Sequence, residues 1–86
     1  MDAIDVIKHP LSTEKSIRLM ESENKLIFVV DKKAKKPDIK KAIEEMFKAQ
    51  VSKVNVVHTA KGQKRAYIKF GPETPAIDIA TQLGLM

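Results

Sequence analysis

Leu26-Ile27-Phe28-Val29-Val30 is the longest unbroken apolar run in the chain. It lies between Lys25 and Asp31, has no polar side, and is made of β-branched and aromatic residues that suit a pleated surface. Such a run predicts a central strand covered on both sides, so elements elsewhere in the chain must supply two layers of cover. Five apolar residues are also far fewer than the roughly 20 needed to cross a bilayer.

The chain has 86 residues, which predicts one domain over 1–86. A domain of this size buries only about 60 to 65% of the surface its unfolded form exposes, so most elements must share one core or lean on a partner. With no cysteine and only His9 and His58, a disulfide framework, a thiolate zinc site and a cysteine nucleophile are excluded, and no metal or cofactor is expected. The N-terminus carries no basic segment followed by an apolar stretch, so a soluble, untargeted chain is expected.

Periodicity predicts the remaining elements. Ile4 to Lys8 alternates as an edge strand ended by His9-Pro10. Ser12 or Thr13 caps a helix to about Glu21, with Glu14 in its first turn and Ile17 and Met20 facing inward. Pro37 opens a second helix whose stripe is Ile39, Ala42, Ile43, Met46 and Phe47. Two strands, about Ser52 to Thr59 and Arg65 to Phe70, turn near Lys61-Gly62 as a hairpin with one apolar and one basic-aromatic face. Thr74-Pro75 starts a last helix with Ile77, Ala80 and Leu83 inward and Gly84 at its end. The order β-α-β-α-β-β-α with a mainly antiparallel sheet is an α+β architecture, and pattern alone leaves the strand order open.

Charge is unevenly distributed. Residues 32–72 hold twelve basic and three acidic side chains, whereas both flanks are net acidic. Six lysines fall between Lys32 and Lys41, around and inside the start of the second helix, with only Asp38 to offset them. A helix N-terminus repels cations, so this arrangement opposes folding and suits a polyanion that satisfies lysines and helix terminus together. Lys61, Gln63, Lys64 and Arg65 at the hairpin tip are placed to enter a groove, and Tyr67, between Arg65 and Lys69, is placed to stack on an unpaired base. The carboxylates are scattered, no serine or threonine has a histidine and a carboxylate in a recognisable arrangement, and no glycine-rich phosphate loop exists, so no enzyme is expected. An acyl-phosphate phosphatase of similar size would need an arginine in an anion-cradling loop, and a free single-strand RNA module would need two or three aromatics on adjacent strands. Neither is present.

Lys8-His9-Pro10-Leu11-Ser12-Thr13-Glu14-Lys15-Ser16 and Lys64-Arg65-Ala66-Tyr67-Ile68-Lys69-Phe70, with a lysine-rich loop and helix between them, resemble the universal large-subunit ribosomal protein of family twenty-three over almost the whole chain. The short hairpin resembles the archaeal form, because bacterial relatives carry a long basic extension there. The resemblance implies a four-stranded antiparallel sheet with packed helices, binding to large-subunit rRNA beside the polypeptide exit tunnel in the cytoplasm, and neighbouring ribosomal proteins as partners. It also implies docking of nascent-chain factors such as signal recognition particle, at Glu14 with Arg18 and Glu21 on the same helix. Expected rRNA contacts are Lys8, His9, Pro10, Ser12, Thr13 and Lys15 in the first motif and Lys32, Lys33, Lys35, Lys36 and Lys40 in the loop and helix. In the hairpin they are Lys61, Gln63, Lys64, Arg65, Tyr67 and Lys69.

Overall fold

A computed structural model describes residues 3–84. One helical turn, α1 (Ala3–Val6), leads into β1 (Ile7–Pro10), followed by α2 (Glu14–Glu23), β2 (Lys25–Val30), α3 (Lys36–Phe47), β3 (Val51–His58), β4 (Lys64–Phe70) and α4 (Ala76–Gln82). The four strands form one sheet in the order β1-β2-β4-β3. Every neighbouring pair is antiparallel. The expected α+β order is observed, with α1 in addition.

The edge strand expected from Ile4 begins only at Ile7 and runs through Pro10. Residues 3–6 coil into a turn that buries Val6 completely, and the Val6 carbonyl accepts from the Asp31 N–H at 2.9 Å. Alternation over so few residues fits one helical turn as well as a strand, and burial of Val6 decides between them.

Thr13, of the two candidate caps, begins α2. Ser16 N–H donates to Thr13 Oγ1 at 3.2 Å, while Thr13 N–H donates to Ser16 Oγ at 2.8 Å. This reciprocal box satisfies two backbone donors and accounts for the Ser12-Thr13-Glu14-Lys15-Ser16 spelling on stability grounds, at about 1 kcal/mol. Ser16 and Met20 form the buried side of α2. Ile17, expected inward, is exposed, as are Met46 on α3 and Ile77 on α4. In each helix the buried stripe is narrower or rotated: Ile39, Ala42 and Ile43 in α3, and Ala76, Ile79 and Ala80 in α4. Phe47 does turn inward, its ring centroid 6.2 Å from that of Phe28.

Both faces of β2 are buried, as the apolar run predicts, but by different means. Leu26, Phe28 and Val30 enter the core with Ala66, Ile68 and Phe70 of β4 and the inner stripes of α2, α3 and α4. Ile27 and Val29 lie on the opposite face and stand outside that helix-packed core. They are nevertheless 3% and 4% exposed, with the long side chains of Tyr67 and Arg65 as their cross-strand partners. This second face of the sheet is available to a ligand.

Asn24 ends α2 in the left-handed conformation (φ 56°) and joins three elements. Its side-chain amide donates toward the carbonyls of Phe70, Gly71 and Thr74 at 3.3, 3.2 and 3.0 Å. Its Oδ1 accepts from Ala76 N–H at 2.6 Å. Asn24 therefore caps α4 from a distance. Thr74, expected to be that cap, instead accepts from Gln50 N–H at 3.0 Å, and Pro75 occupies the cap position without a side-chain bond.

Candidate nucleic-acid interface

At the end of the sheet where β2 leaves and β4 enters, the two basic segments of the sequence meet. The loop after β2 is tightly built: Asp31 Oδ1 accepts from Lys33 N–H at 2.8 Å, and Ala34 N–H donates to the Asp31 carbonyl at 3.1 Å. Ala34 is completely buried, which turns Lys32, Lys33, Lys35 and Lys36 to the outside. Lys35 caps α3 without a side-chain bond, and Asp38 Oδ2 reaches back to the Lys35 N–H at 3.1 Å. Pro37 occupies the second helical position, one later than expected. The hairpin tip closes against this loop. Gly62 N–H donates to the Thr59 carbonyl at 3.0 Å, and Gly62 takes a φ of 78°. Lys32 Nζ lies 3.5 Å from the place a Cβ on Gly62 would occupy, so Lys32 arches over the tip beside Lys61.

Among the described residues these ammonium groups have no carboxylate partner. Among the described residues the ion pairs are Arg18 with Glu14 and Lys25 with Glu23. The i, i+4 pairs that the sequence offers on α3, Lys40 with Glu44 and Lys41 with Glu45, are not formed, and Glu44 instead lies 3.5 Å from the Val51 N–H. Asp31 and Asp38, the acids nearest the basic loop, are engaged with backbone N–H groups.

The helix-free face of the sheet continues the positive surface. Register places Lys53, Lys69 and Lys25 in one row across β3, β4 and β2; the next row is Asn55, Tyr67 and Ile27, and the next Val57, Arg65 and Val29. Like charges directly opposite one another on adjacent strands are destabilising; Glu23 offsets Lys25 at 3.5 Å, which leaves Lys53 opposite Lys69 as the pair that an anion relieves. Lys15 Nζ stands 5.8 Å from the Tyr67 ring centroid, which puts a cation and an aromatic together above the sheet. Arg65 Nε donates to Gln63 Oε1 at 2.8 Å, orienting the guanidinium beside a concavity lined by Thr59, Ala60, Lys61, Gln63 and Arg65. A shallow groove lined by Lys36, Pro37, Lys40, Ser52, Lys53 and Val54 joins the basic loop to the edge of this face.

The first motif is divided among several tasks. Lys8, His9, Ser12 and Lys15 are exposed, while Pro10 pairs with Phe28 and Thr13 is engaged in the cap. Glu14 and Arg18 pair at 4.0 Å with side chains 93% and 80% exposed, and Glu21 is exposed one turn further along. A pair so exposed adds little stability and leaves this face of α2 open. His58, which shares the alternation of the core-facing Val54 and Val56, lies at the exposed end of its strand.

Two cations in the sheet-face row, Lys25 and Lys53, are absent from the expected contacts, because their alignment with Lys69 depends on register. Lys64 shows the opposite discrepancy. It was expected at the outer tip, yet it has the parity of Ala66, Ile68 and Phe70 and so lies on the helix-facing side, half-buried. That parity was readable in the sequence.

The profile of the family described as Ribosomal protein L23 matches residues 5–77. The chain is similar to the large ribosomal subunit protein uL23 of Methanococcus vannielii, at 52% identity over 85 residues, and to that of Methanococcus aeolicus, at 49%; each match covers 99% of both chains. The corresponding protein of Methanococcus maripaludis is 48% identical over the same span. A profile match over most of the chain, together with relatives at about half identity along its full length, places this protein in the ribosomal protein L23 family.

Proposed function

We propose that the chain binds large-subunit rRNA through the cations at the basic end and on the helix-free sheet face, beside the polypeptide exit tunnel. Family membership makes it a structural, non-enzymatic constituent of the large ribosomal subunit, at work on cytoplasmic ribosomes. The observation that carries the RNA reading is the meeting of two segments far apart in sequence: the loop lysines and the hairpin tip converge, and among the described residues no carboxylate pairs with them. The outward ammonium groups repel one another there, whereas a phosphate backbone is drawn to all of them. The groove lined by Lys36, Lys40 and Lys53 suits a backbone that passes from the end of the sheet to its face, with Tyr67 and Lys15 beside the bases or riboses.

Neutralising about six phosphates gives a plot of log K against log salt with a slope of roughly −4 to −5. Titration of the protein against a large-subunit rRNA fragment at several salt concentrations measures it, and a slope near zero would overturn the reading.

The exposed α2 face with Glu14, Arg18 and Glu21 is the proposed docking site for nascent-chain factors such as signal recognition particle. It is exposed and carries acids that repel phosphate, so it stays outward when the basic surfaces meet RNA. Reversing Glu14 to lysine is expected to reduce crosslinking of signal recognition particle to ribosomes several-fold, with incorporation into the subunit unchanged. Undiminished crosslinking would remove Glu14 from the site.

A further inference from the structure

Lys64 is the one cation of the hairpin tip that points into the fold. Its position opposite Val30, on the face shared with Ala66, Ile68 and Phe70, lays the aliphatic stem along the edge of the core. Its ammonium donates to the carbonyl of Ala34 and lies 3.5 Å from that of Lys32. Both carbonyls belong to the loop that carries Lys32, Lys33, Lys35 and Lys36, and Ala34 itself is buried beneath it. A loop of four exposed like charges repels itself and has a cationic helix start behind it. Its inward carbonyls need donors.

We infer that Lys64 is a positioning residue: its ammonium clamps the turn carbonyls and thereby pre-orders the loop lysines for the RNA backbone. This rests on the rRNA reading for its purpose, although the clamp belongs to the free protein. Loop ordering completed before binding is not paid for at the moment of association, so loss of the clamp weakens several contacts together. A lysine that met one phosphate directly would contribute one contact only. At 0.1 M salt one contact is worth about 5- to 8-fold in affinity, from a slope of 0.7 to 0.9 per ion.

The test uses the full-length chain and compares Lys64→Met, which keeps the stem, with Lys64→Arg, which restores donors, and Lys61→Gln, which removes an outward tip charge. Backbone 15N relaxation of residues 32–36 in the free protein and salt-dependent binding to the rRNA fragment are both measured. Lys64→Met is expected to loosen the loop, to lower affinity by about 30-fold or more and to reduce the salt slope by about two ions. Lys64→Arg is expected to restore loop order and most of the affinity, and Lys61→Gln to cost about 5- to 8-fold with the loop unchanged. A Lys64→Met protein with an ordered loop and the loss of a single contact overturns the clamp. If the parent protein shows no salt-dependent binding, the rRNA reading falls, and the relaxation data decide the clamp alone: a loosened loop upholds it and an unchanged loop overturns it.

Discussion

Asn24→Ala is expected to lower stability by about 3 to 4 kcal/mol, enough to shift the melting temperature of a domain this size by roughly 15 to 25 °C. Three losses combine. Alanine is strained in the left-handed conformation that Asn24 adopts at φ 56°. The Ala76 N–H at the start of α4 loses its acceptor. The carbonyls of Phe70, Gly71 and Thr74 lose a donor in a half-buried place where water substitutes poorly. Two controls separate these causes. Asn24→Gly relieves the backbone strain and is expected to recover about 1 kcal/mol of the loss. Asn24→Asp keeps the acceptor for Ala76 but turns a carboxylate toward three carbonyls, so it falls near alanine at neutral pH. Thermal or urea unfolding of the three variants measures the series, and a loss below 1 kcal/mol for alanine would show that the junction is not what fastens α4 to the sheet.

Replacing Lys32, Lys33, Lys35 and Lys36 together by glutamine is expected to move binding and stability in opposite directions. Four lost counterions, each with a slope of 0.7 to 0.9, reduce affinity for the rRNA fragment roughly a thousandfold at 0.1 M salt and flatten the salt dependence by about three. Stability is expected to stay level or to rise, because removing cations from a helix start is worth about 0.3 to 1 kcal/mol each at low salt. The loop keeps its shape through Asp31, Asp38 and Ala34, none of which is changed. Binding isotherms and unfolding curves of the same protein check both halves. Affinity equal to that of the parent would remove the loop from the interface, and a large loss of stability would mean that the lysines contribute to the fold itself.

The opposed signs follow from what a pattern in one dimension records. The lysine cluster before α3 stands out in the sequence because it violates a local preference, and that violation survives in the structure as ammonium groups that pair with no carboxylate among the described residues. The expected interface residues Lys32, Lys33, Lys35, Lys36 and Lys61 do gather at one end of the sheet. Thr13 and Pro10, expected in the same role, are already occupied by a helix cap and a strand pairing. Ile17, Met46 and Ile77 were expected inward because their spacing fits a helical stripe. A stripe is only as wide as the surface facing it, and the residues these helices do bury, Ala42, Ala76 and Ala80 among them, make a narrower band.

Local sterics and period determined what the sequence could tell by itself: a central strand at Leu26 to Val30, an amphipathic α3, a short basic hairpin, and a cationic middle of the chain. Those properties depend on neighbours within a few residues, so they are written where they act. The tertiary structure alone decided the order β1-β2-β4-β3, the row of Lys53, Lys69 and Lys25, the reach of Asn24 to α4, and the inward turn of Lys64 onto the carbonyls of a loop thirty residues earlier. Each of these joins segments distant in the chain. Their free energy is set by competition among all the long-range pairings the strands could make, and no local pattern encodes the outcome of that competition.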